Sequence, residues 1–352
     1  MTVDYIILGQ GICGTFLSYY LQKEGKTVLV IDAPQQYSAS KVASGVINPV
    51  TGRRIVKTWL IDELLPFTWN AYNEIGDLLG VSLIRQCNVL DFHATPQMQE
   101  AFASRLAEDA TLLSVPEDQA YWQQFFRFNY SIGEVNPCWL IDLQILLQRW
   151  RQHLVQHNAL SGEHFDWTHC EVTNDKVVYK GITASKILCC AGVADSFNPY
   201  FQLLPFALNK GEAILAHIPG LPATNIYKQG ISLVPWNEKD VFWIGSTYEW
   251  NYAHVQPSEA FRNKVEAQLN YWLRLPYTII DHVAAERPAN VERRPFVGLH
   301  PLHPGVGMLN GMGTKGCSLA PFFAQQFTQY LVHGLPIEPL ANVQRFTRVL
   351  SR

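Results

Sequence analysis

The stretch Tyr5-Ile6-Ile7-Leu8-Gly9-Gln10-Gly11-Ile12-Cys13-Gly14, followed by Thr27-Val28-Leu29-Val30-Ile31-Asp32, carries the reading of this chain. A short apolar strand pattern runs into G-x-G-x-x-G, a helix-like segment follows, and a second apolar strand ends in an acid. Gly9 permits the tight turn, Gly11 lets a pyrophosphate approach the backbone, and Gly14 lets the helix pack closely on the sheet. The free N–H groups and partial positive charge of the helix N-terminus suit a pyrophosphate. Asp32 stands where a carboxylate accepts hydrogen bonds from the adenosine ribose hydroxyls. This context predicts a dinucleotide site at Gly9, Gly11, Ile12, Cys13, Gly14, Asp32 and Ala33 rather than a plain glycine turn. The fingerprint alone does not separate NAD, NADP and FAD.

Composition sets outer bounds. The 352 residues are 48% hydrophobic and 16% charged, a globular balance with length for about two domains. A net charge of −3 offers no basic field for nucleic acid. No apolar run reaches the length of a membrane span, and no basic n-region precedes the first apolar stretch. Seven cysteines, an odd count without framework spacing, point to a reducing compartment, so the expected location is cytoplasmic. Cys189-Cys190 is adjacent rather than C-x-x-C, the histidines lack ligand spacing, and no Gly-x-Ser-x-Gly elbow occurs. No metal is expected.

Apolar periodicity predicts helices over about 62–79, 97–108, 140–157, 257–273 and 318–332. In 140–157, Leu143, Leu146, Leu147 and Trp150 form one side and arginines the other. Residues 163–172 and 176–179 alternate like hairpin strands around Asn174-Asp175, and 186–192 reads as a buried strand ending in small residues. The expected fold class is α/β: a Rossmann-like FAD-binding domain built from discontinuous segments (1–80, 141–202, 284–352). A mostly antiparallel β-sheet substrate domain flanked by helices (81–140, 203–283) is inserted into it.

A second cluster, Gly311-Met312-Gly313-Thr314-Lys315-Gly316, formally repeats G-x-G-x-x-G. Only one helix and a proline-containing tail follow it, too little for a second βαβ unit with its own ribose acid. It reads instead as a strand end opening a helix whose N-terminus faces another part of the same cofactor. A reduced isoalloxazine carries negative charge near N1 and C2=O, which a helix N-terminus stabilises, whereas nicotinamide offers no such anion. This favours FAD.

Here the chain resembles the flavoprotein family of D-amino-acid, glycine and sarcosine oxidases over nearly its whole length. The matching pieces are the fingerprint ending at Asp32, Ala43-Ser44-Gly45-Val46-Ile47-Asn48-Pro49, Ala191-Gly192, Lys210-Gly211-Glu212 and Val234-Pro235. They continue with Gly245-Ser246-Thr247, Glu286-Arg287-Pro288 and Gly311 to Pro321. Within the family, Gly313-x-Lys315-Gly316 and Ser44-Gly45 are most similar to the oxidase half of the bifunctional tRNA wobble-uridine enzyme, whose methyltransferase half has no counterpart here. The resemblance implies non-covalent FAD, with Ser40 and the backbone of Ser44, Gly45 and Val46 along the pyrophosphate and flavin. It further implies Ala191, Gly192, Gly313, Thr314, Lys315 and Gly316 against the cofactor, and a strand containing Cys170 at the adenine edge.

The resemblance puts Arg287 over the flavin, where a guanidinium clamps a substrate carboxylate; the structural alternative is a salt bridge with Glu286 or Glu292. Lys315 would hold a water at flavin N5 or stabilise reduced flavin; the alternative is a solvated turn lysine. Ser232 stands where glycine oxidase has a pocket tyrosine, and Thr314 where it has an arginine, so a roomier pocket than glycine needs is expected. Arg53, Arg54 and Lys57 border an entrance for anionic substrates or form a solvated basic helix start. Cys317 reads as a buried structural thiol.

The expected function is FAD-dependent oxidation of a small-molecule amine, an amino acid or N-substituted glycine, by hydride transfer to flavin N5, with oxygen or another electron acceptor closing the cycle. A tRNA side-chain oxidase and a non-catalytic flavin-binding sensor are the alternatives.

Overall fold

The computed structural model describes every residue except Gln36, Arg53 and Asn174. Thr2–Leu8 forms the first strand, and it is buried on both sides: Tyr5 and Ile7 face one core cluster, Ile6 and Leu8 another. That two-sided burial suits a parallel strand covered by helices. Parallel neighbours flank it, Val28–Ile31 on one side and Ile182–Cys189 on the other. Leu160–Ser161 adds beyond Val28–Ile31, and Val306–Asn310 beyond Ile182–Cys189. The carboxyl ends of these strands carry Gly9, Asp32, Ala191 and Gly311, so these turns gather on one edge, the edge where doubly wound sheets take ligands.

The first helix, Ile12–Lys23, lies against this sheet with Phe16, Leu17 and Leu21 fully buried. Each such side chain contributes about 1.5–3 kcal/mol of burial. The helix packs most heavily on the C-terminal helix Gly316–His333, so the two ends of the chain meet in one layer. The other long helices run over Ile61–Leu79, Pro96–Glu108, Leu143–Gln156 and Glu259–Trp272, with single turns at Ala39–Val42 and Thr347–Leu350.

A second eight-stranded sheet is mostly antiparallel; its strand Asn209–His217 pairs with the edge strand Thr278–Arg287 and with Val241–Gly245. Its alternation separates two faces. Ile214, Ala216, Leu233, Phe242 and Ile244 join Phe261, Val265, Leu269 and Trp272 of the helix Glu259–Trp272. Ala213, Val234, Trp243, Val283 and Ala285 point the other way, into the core shared with the first helix. Trp243 Nε1 donates to the Val42 carbonyl at 2.9 Å, tying this face to the segment before Ser44.

Two expectations need correction. A boundary at 283/284 falls inside the strand Thr278–Arg287, which runs unbroken past it. The hairpin pairs only Cys170–Val172 with Val177–Tyr179, because a short 3₁₀ turn, Trp167–His169, precedes it. Cys170 opens a strand that three others separate from Val28–Ile31, while Lys180, beside its pairing partner Tyr179, pairs with Glu163, which accepts from the Ser161 hydroxyl. The strand beside Asp32 is Leu160–Ser161, whose Ser161 carbonyl accepts the Asp32 N–H at 3.0 Å. No described helix is long and apolar enough to cross a membrane.

Candidate active site

At the nucleotide turn, Gly9 adopts φ +89°, and its backbone lies against Cys190 and Ala191, where a Cβ would meet the Cys190 oxygen at 2.6 Å. Gly14 is needed for a different contact than the sheet: a Cβ there would lie 1.9 Å from the Gly9 carbonyl. The helix Ile12–Lys23 has no acidic residue in its first turn, and the Ile12 N–H donates to Ser40 Oγ at 3.1 Å. Ser40 is thereby brought to the helix N-terminus, beside Gly11. Asp32 Oδ1 accepts the Gln10 N–H at 2.9 Å, fixing the acid to the turn.

The second glycine cluster joins the same edge. Val306–Asn310 is the last described strand, and Lys315 caps the helix that follows. A Cβ on Gly316 would lie 3.6 Å from the Ile12 side chain, so the two helix starts are neighbours. Like the first, the second helix has no acid in its opening turn. Lys315 Nζ donates to the Asn48 carbonyl at 3.4 Å, next to the segment Ser44-Gly45-Val46, and Gly45 in turn accepts the Ile141 N–H. Burial pushes the Lys315 ammonium down to about 8, and no acid pairs with it among the described residues. Two N-termini free of acids, a strand-end carboxylate and an uncompensated cation fit an extended dinucleotide with a charged far end.

Arg287 ends its strand on the face that carries Asn209, Gly211, Ala213, Ser232 and Gly245, as the registers require. Its Nη1 donates to Asn209 Oδ1 at 2.8 Å and the Thr247 carbonyl at 3.1 Å, and Nη2 to Ser246 Oγ at 3.0 Å. The guanidinium carbon lies 4.8 Å from the Tyr248 ring centroid, a cation–π contact. A Cβ on Gly211 would fall 1.9 Å from Nη2, so only glycine leaves the guanidinium this place. The salt-bridge alternative fails: Glu286 takes the Tyr252 hydroxyl and Glu292 pairs with Arg345 at 3.0 Å. The Gly313 N–H donates to the Pro288 carbonyl at 3.4 Å, linking the second glycine cluster to the Arg287 segment.

A buried ion pair anchors the loop holding Ser246 to Tyr248. Lys210 Nζ lies 3.0 Å from Glu212 Oε1 and 3.7 Å from Glu249, and Glu212 accepts both the N–H and hydroxyl of Ser258. Both ends of the loop are thus pinned to one strand. Buried charge is tolerated here because nearly every lone pair is used.

The entrance residues fare differently. Lys57 lies 3.5 Å from Asp62 and 3.4 Å from Asp109, an ordinary surface arrangement. Arg54 is exposed, and its carbonyl accepts from Arg105 of the helix Pro96–Glu108; among the described residues no hydrogen bond or ion pair joins it to Arg287 or Lys315. Arg53, like Asn174 of the hairpin turn, lies outside the described residues. Cys317 is buried, its thiol pushed up to about 12, which suits a structural role.

Several residues escaped the sequence reading. Asn209, Ser246, Thr247 and Tyr248 surround Arg287 through pairings distant in sequence, which no local spacing announces. Asp195 is buried, accepts the Ala191 N–H at 2.8 Å and Asn310 Nδ2 at 2.7 Å, and so joins two strand ends at the cofactor edge. Its position four residues after Ala191 was the available signal.

Residues 4–330 match the family described as DAO, FAD dependent oxidoreductase. The chain is 24% identical to glycine oxidase of Pseudomonas putida, with 96% of each chain covered. Among solved structures it resembles glycine oxidase from Bacillus cereus (TM-score 0.79, 14% identity, 95% of this chain and 96% of that one). It also resembles iminodiacetate oxidase from Chelativorans sp. BNC1 (TM-score 0.75, 18% identity, 95% and 96%). The chain belongs to this family and is an FAD-dependent oxidoreductase of the amino-acid and amine oxidase kind.

Proposed function

We propose that this FAD-dependent oxidoreductase oxidises the C–N bond of a carboxylated amine, an amino acid or N-substituted glycine, with Arg287 binding the carboxylate. The observation that carries this reading is the guanidinium itself. It has no acidic partner among the described residues, yet three neutral acceptors hold it on a face of small side chains. Those contacts use both Nη1 hydrogens and one on Nη2, leaving Nε–H and the other Nη2–H. Two donors left on one guanidinium suit the two oxygens of a carboxylate.

In this reading Gly9, Gly11 to Gly14, Asp32, Ala33, Ser40, Ser44 to Val46, Ala191, Gly192 and Gly313 to Gly316 hold the cofactor on the parallel sheet. The antiparallel sheet receives substrate. Bound FAD supplies a hydride acceptor and passes electrons on to oxygen or another acceptor. Arg287 fixes the substrate so that its α C–H has one direction to face, converting an encounter into an oriented reaction. Ala213, Gly245 and Ser232 form one cross-strand row of small residues on the Arg287 face, with the Trp243 ring packed over Gly245. Lys315 Nζ offers a positive charge where charge develops, and with its ionisation near 8 it can release or hold a proton at that atom. The relatives named for glycine and iminodiacetate, both carboxylated amines, support the same substrate class.

Anaerobic bleaching of the flavin band with a panel of amines tests this. Carboxylated amines should bleach it, and Arg287→Ala should raise their KM by about thirty-fold or more, the cost of removing a charged, hydrogen-bonded partner, while FAD stays bound. Undiminished turnover of carboxylated amines by that variant would overturn the assignment. Inert free amines with an oxidised tRNA side chain would favour the nucleic-acid alternative.

A further inference from the structure

The helix Leu143–Gln156 brings an arginine to the nucleotide edge. Arg151 Nη1 lies 2.6 Å from Asp32 Oδ2, and its Nη2 donates to the Asp32 carbonyl at 3.0 Å. Nη1 also reaches Gln10 Oε1 at 3.4 Å. Gln10, the residue between the first two fingerprint glycines, is buried and donates through Nε2 to the Leu147 carbonyl at 3.0 Å and Thr15 Oγ1 at 3.2 Å. The fingerprint turn, the ribose acid and this helix thus form one hydrogen-bonded unit, although more than a hundred residues separate Asp32 from Arg151.

We propose that Arg151 is a positioning residue for FAD that sets affinity at the adenosine end by holding the Asp32 carboxylate toward the ribose. A carboxylate has about four lone-pair sites, and Gln10 N–H and Arg151 take two of them. Two remain for the vicinal hydroxyls of a ribose. The fork grips both the side chain and the carbonyl of Asp32, so it restrains the acid's rotamer as well as its charge. An unrestrained carboxylate at the end of a strand would have to be ordered as the nucleotide binds, at a cost in affinity. Arg151 is only partly buried, and its aliphatic stem lies on the same helix as buried Leu147 and Trp150, so its guanidinium is delivered rather than free to roam.

The inference rests on Asp32 receiving the adenosine ribose, and the test separates the two. Deflavinated protein is titrated with FAD, following quenching of flavin fluorescence, for wild type, Arg151→Ala, Arg151→Lys, Asp32→Ala and the double variant. ADP and FMN are titrated as competitors, since only ADP carries the adenosine half. Arg151→Ala should weaken FAD and ADP together by about ten-fold or more, the usual weight of a charge-assisted pair. FMN should be unaffected, Arg151→Lys should recover part of the loss, and Arg151→Ala should add little in the Asp32→Ala background.

An unchanged or tighter Kd in Arg151→Ala, with Asp32→Ala impaired, would overturn the inference alone; tighter binding would mean that Arg151 competes with the ribose. Equal weakening of FMN would reduce Arg151 to a general structural residue and likewise overturn it. Normal FAD binding by Asp32→Ala would instead remove the assigned ribose acceptor. Should Arg151→Ala fail to fold, Arg151→Lys decides, because it keeps the charge and removes the fork: ADP weakened and FMN unaffected supports the inference, and no change in ADP overturns it.

Discussion

Replacing Gly211 by alanine should disable the carboxylate clamp without touching the flavin or the fold. The added Cβ would sit 1.9 Å from Arg287 Nη2, 2.2 Å from Cζ and 2.5 Å from Nη1. Carbon and nitrogen tolerate contact at about 3.5 Å, so the guanidinium must retreat by roughly 1.5 Å. The displaced atoms end a long side chain, so the strand Asn209–His217 keeps its pairing and the protein still folds. The retreat breaks the geometry to Asn209, Ser246 and Thr247 together. A misplacement of about 1 Å in a positioning group can cost a hundred-fold in rate, so kcat/KM for a carboxylated amine should fall by about that factor. Steady-state kinetics on a carboxylated amine and on the matching amine without a carboxylate separate the clamp from general damage. The first should fall and the second should change little, with flavin content and melting temperature near wild type. An unchanged kcat/KM for the carboxylated substrate, or an equal loss on both amines, would refute the reasoning.

Two further expectations follow from ionisation. Lys315, with its ionisation depressed to about 8 by burial, loses its charge as pH rises through that value, so a reaction that needs the cation should slow across pH 7–9. Lys315→Met should flatten that limb in stopped-flow flavin reduction; an identical profile would exclude Lys315 as its origin. Asp195 is raised to about 7 by burial, well above the ordinary carboxyl value, so the folded protein binds a proton that the unfolded chain releases near pH 4. Its contribution to stability is complete below about pH 4 and is lost as pH rises through about 7. Thermal melts of Asp195→Asn, which keeps an acceptor for Ala191 N–H, should therefore gain on wild type as pH rises from 4.5 to 7.5; parallel curves would contradict this.

The nucleotide end was legible because its information is local. Turn glycines, the first helix and the acid after the second strand lie within one βαβ unit, where spacing maps directly onto geometry. The second glycine cluster lies between the strand Val306–Asn310 and the helix Gly316–His333, and its place beside the first helix start came from packing rather than spacing. Cys170 shows the limit. Its alternation suggested a strand, yet strand order across a sheet is set by long-range pairing, which placed three strands between it and Val28–Ile31.

The proposed clamp is the product of tertiary structure. Sequence alone offered Arg287 with two plausible acidic partners beside it, and a guanidinium next to glutamates reads as a salt bridge. Folding gave Glu286 to Tyr252 and Glu292 to Arg345, and set Arg287 opposite Asn209 by strand register. Likewise, Arg151 looked like the solvent face of an amphipathic helix until the helix docked on the fingerprint turn. What the residues themselves determined is that a dinucleotide binds, since backbone N–H groups and glycine sterics are properties of short spacing. Which cations remain unpaired, and therefore what the bound flavin is offered, was decided only where distant strands and helices came together, because a charge is free or spent according to its neighbours in space.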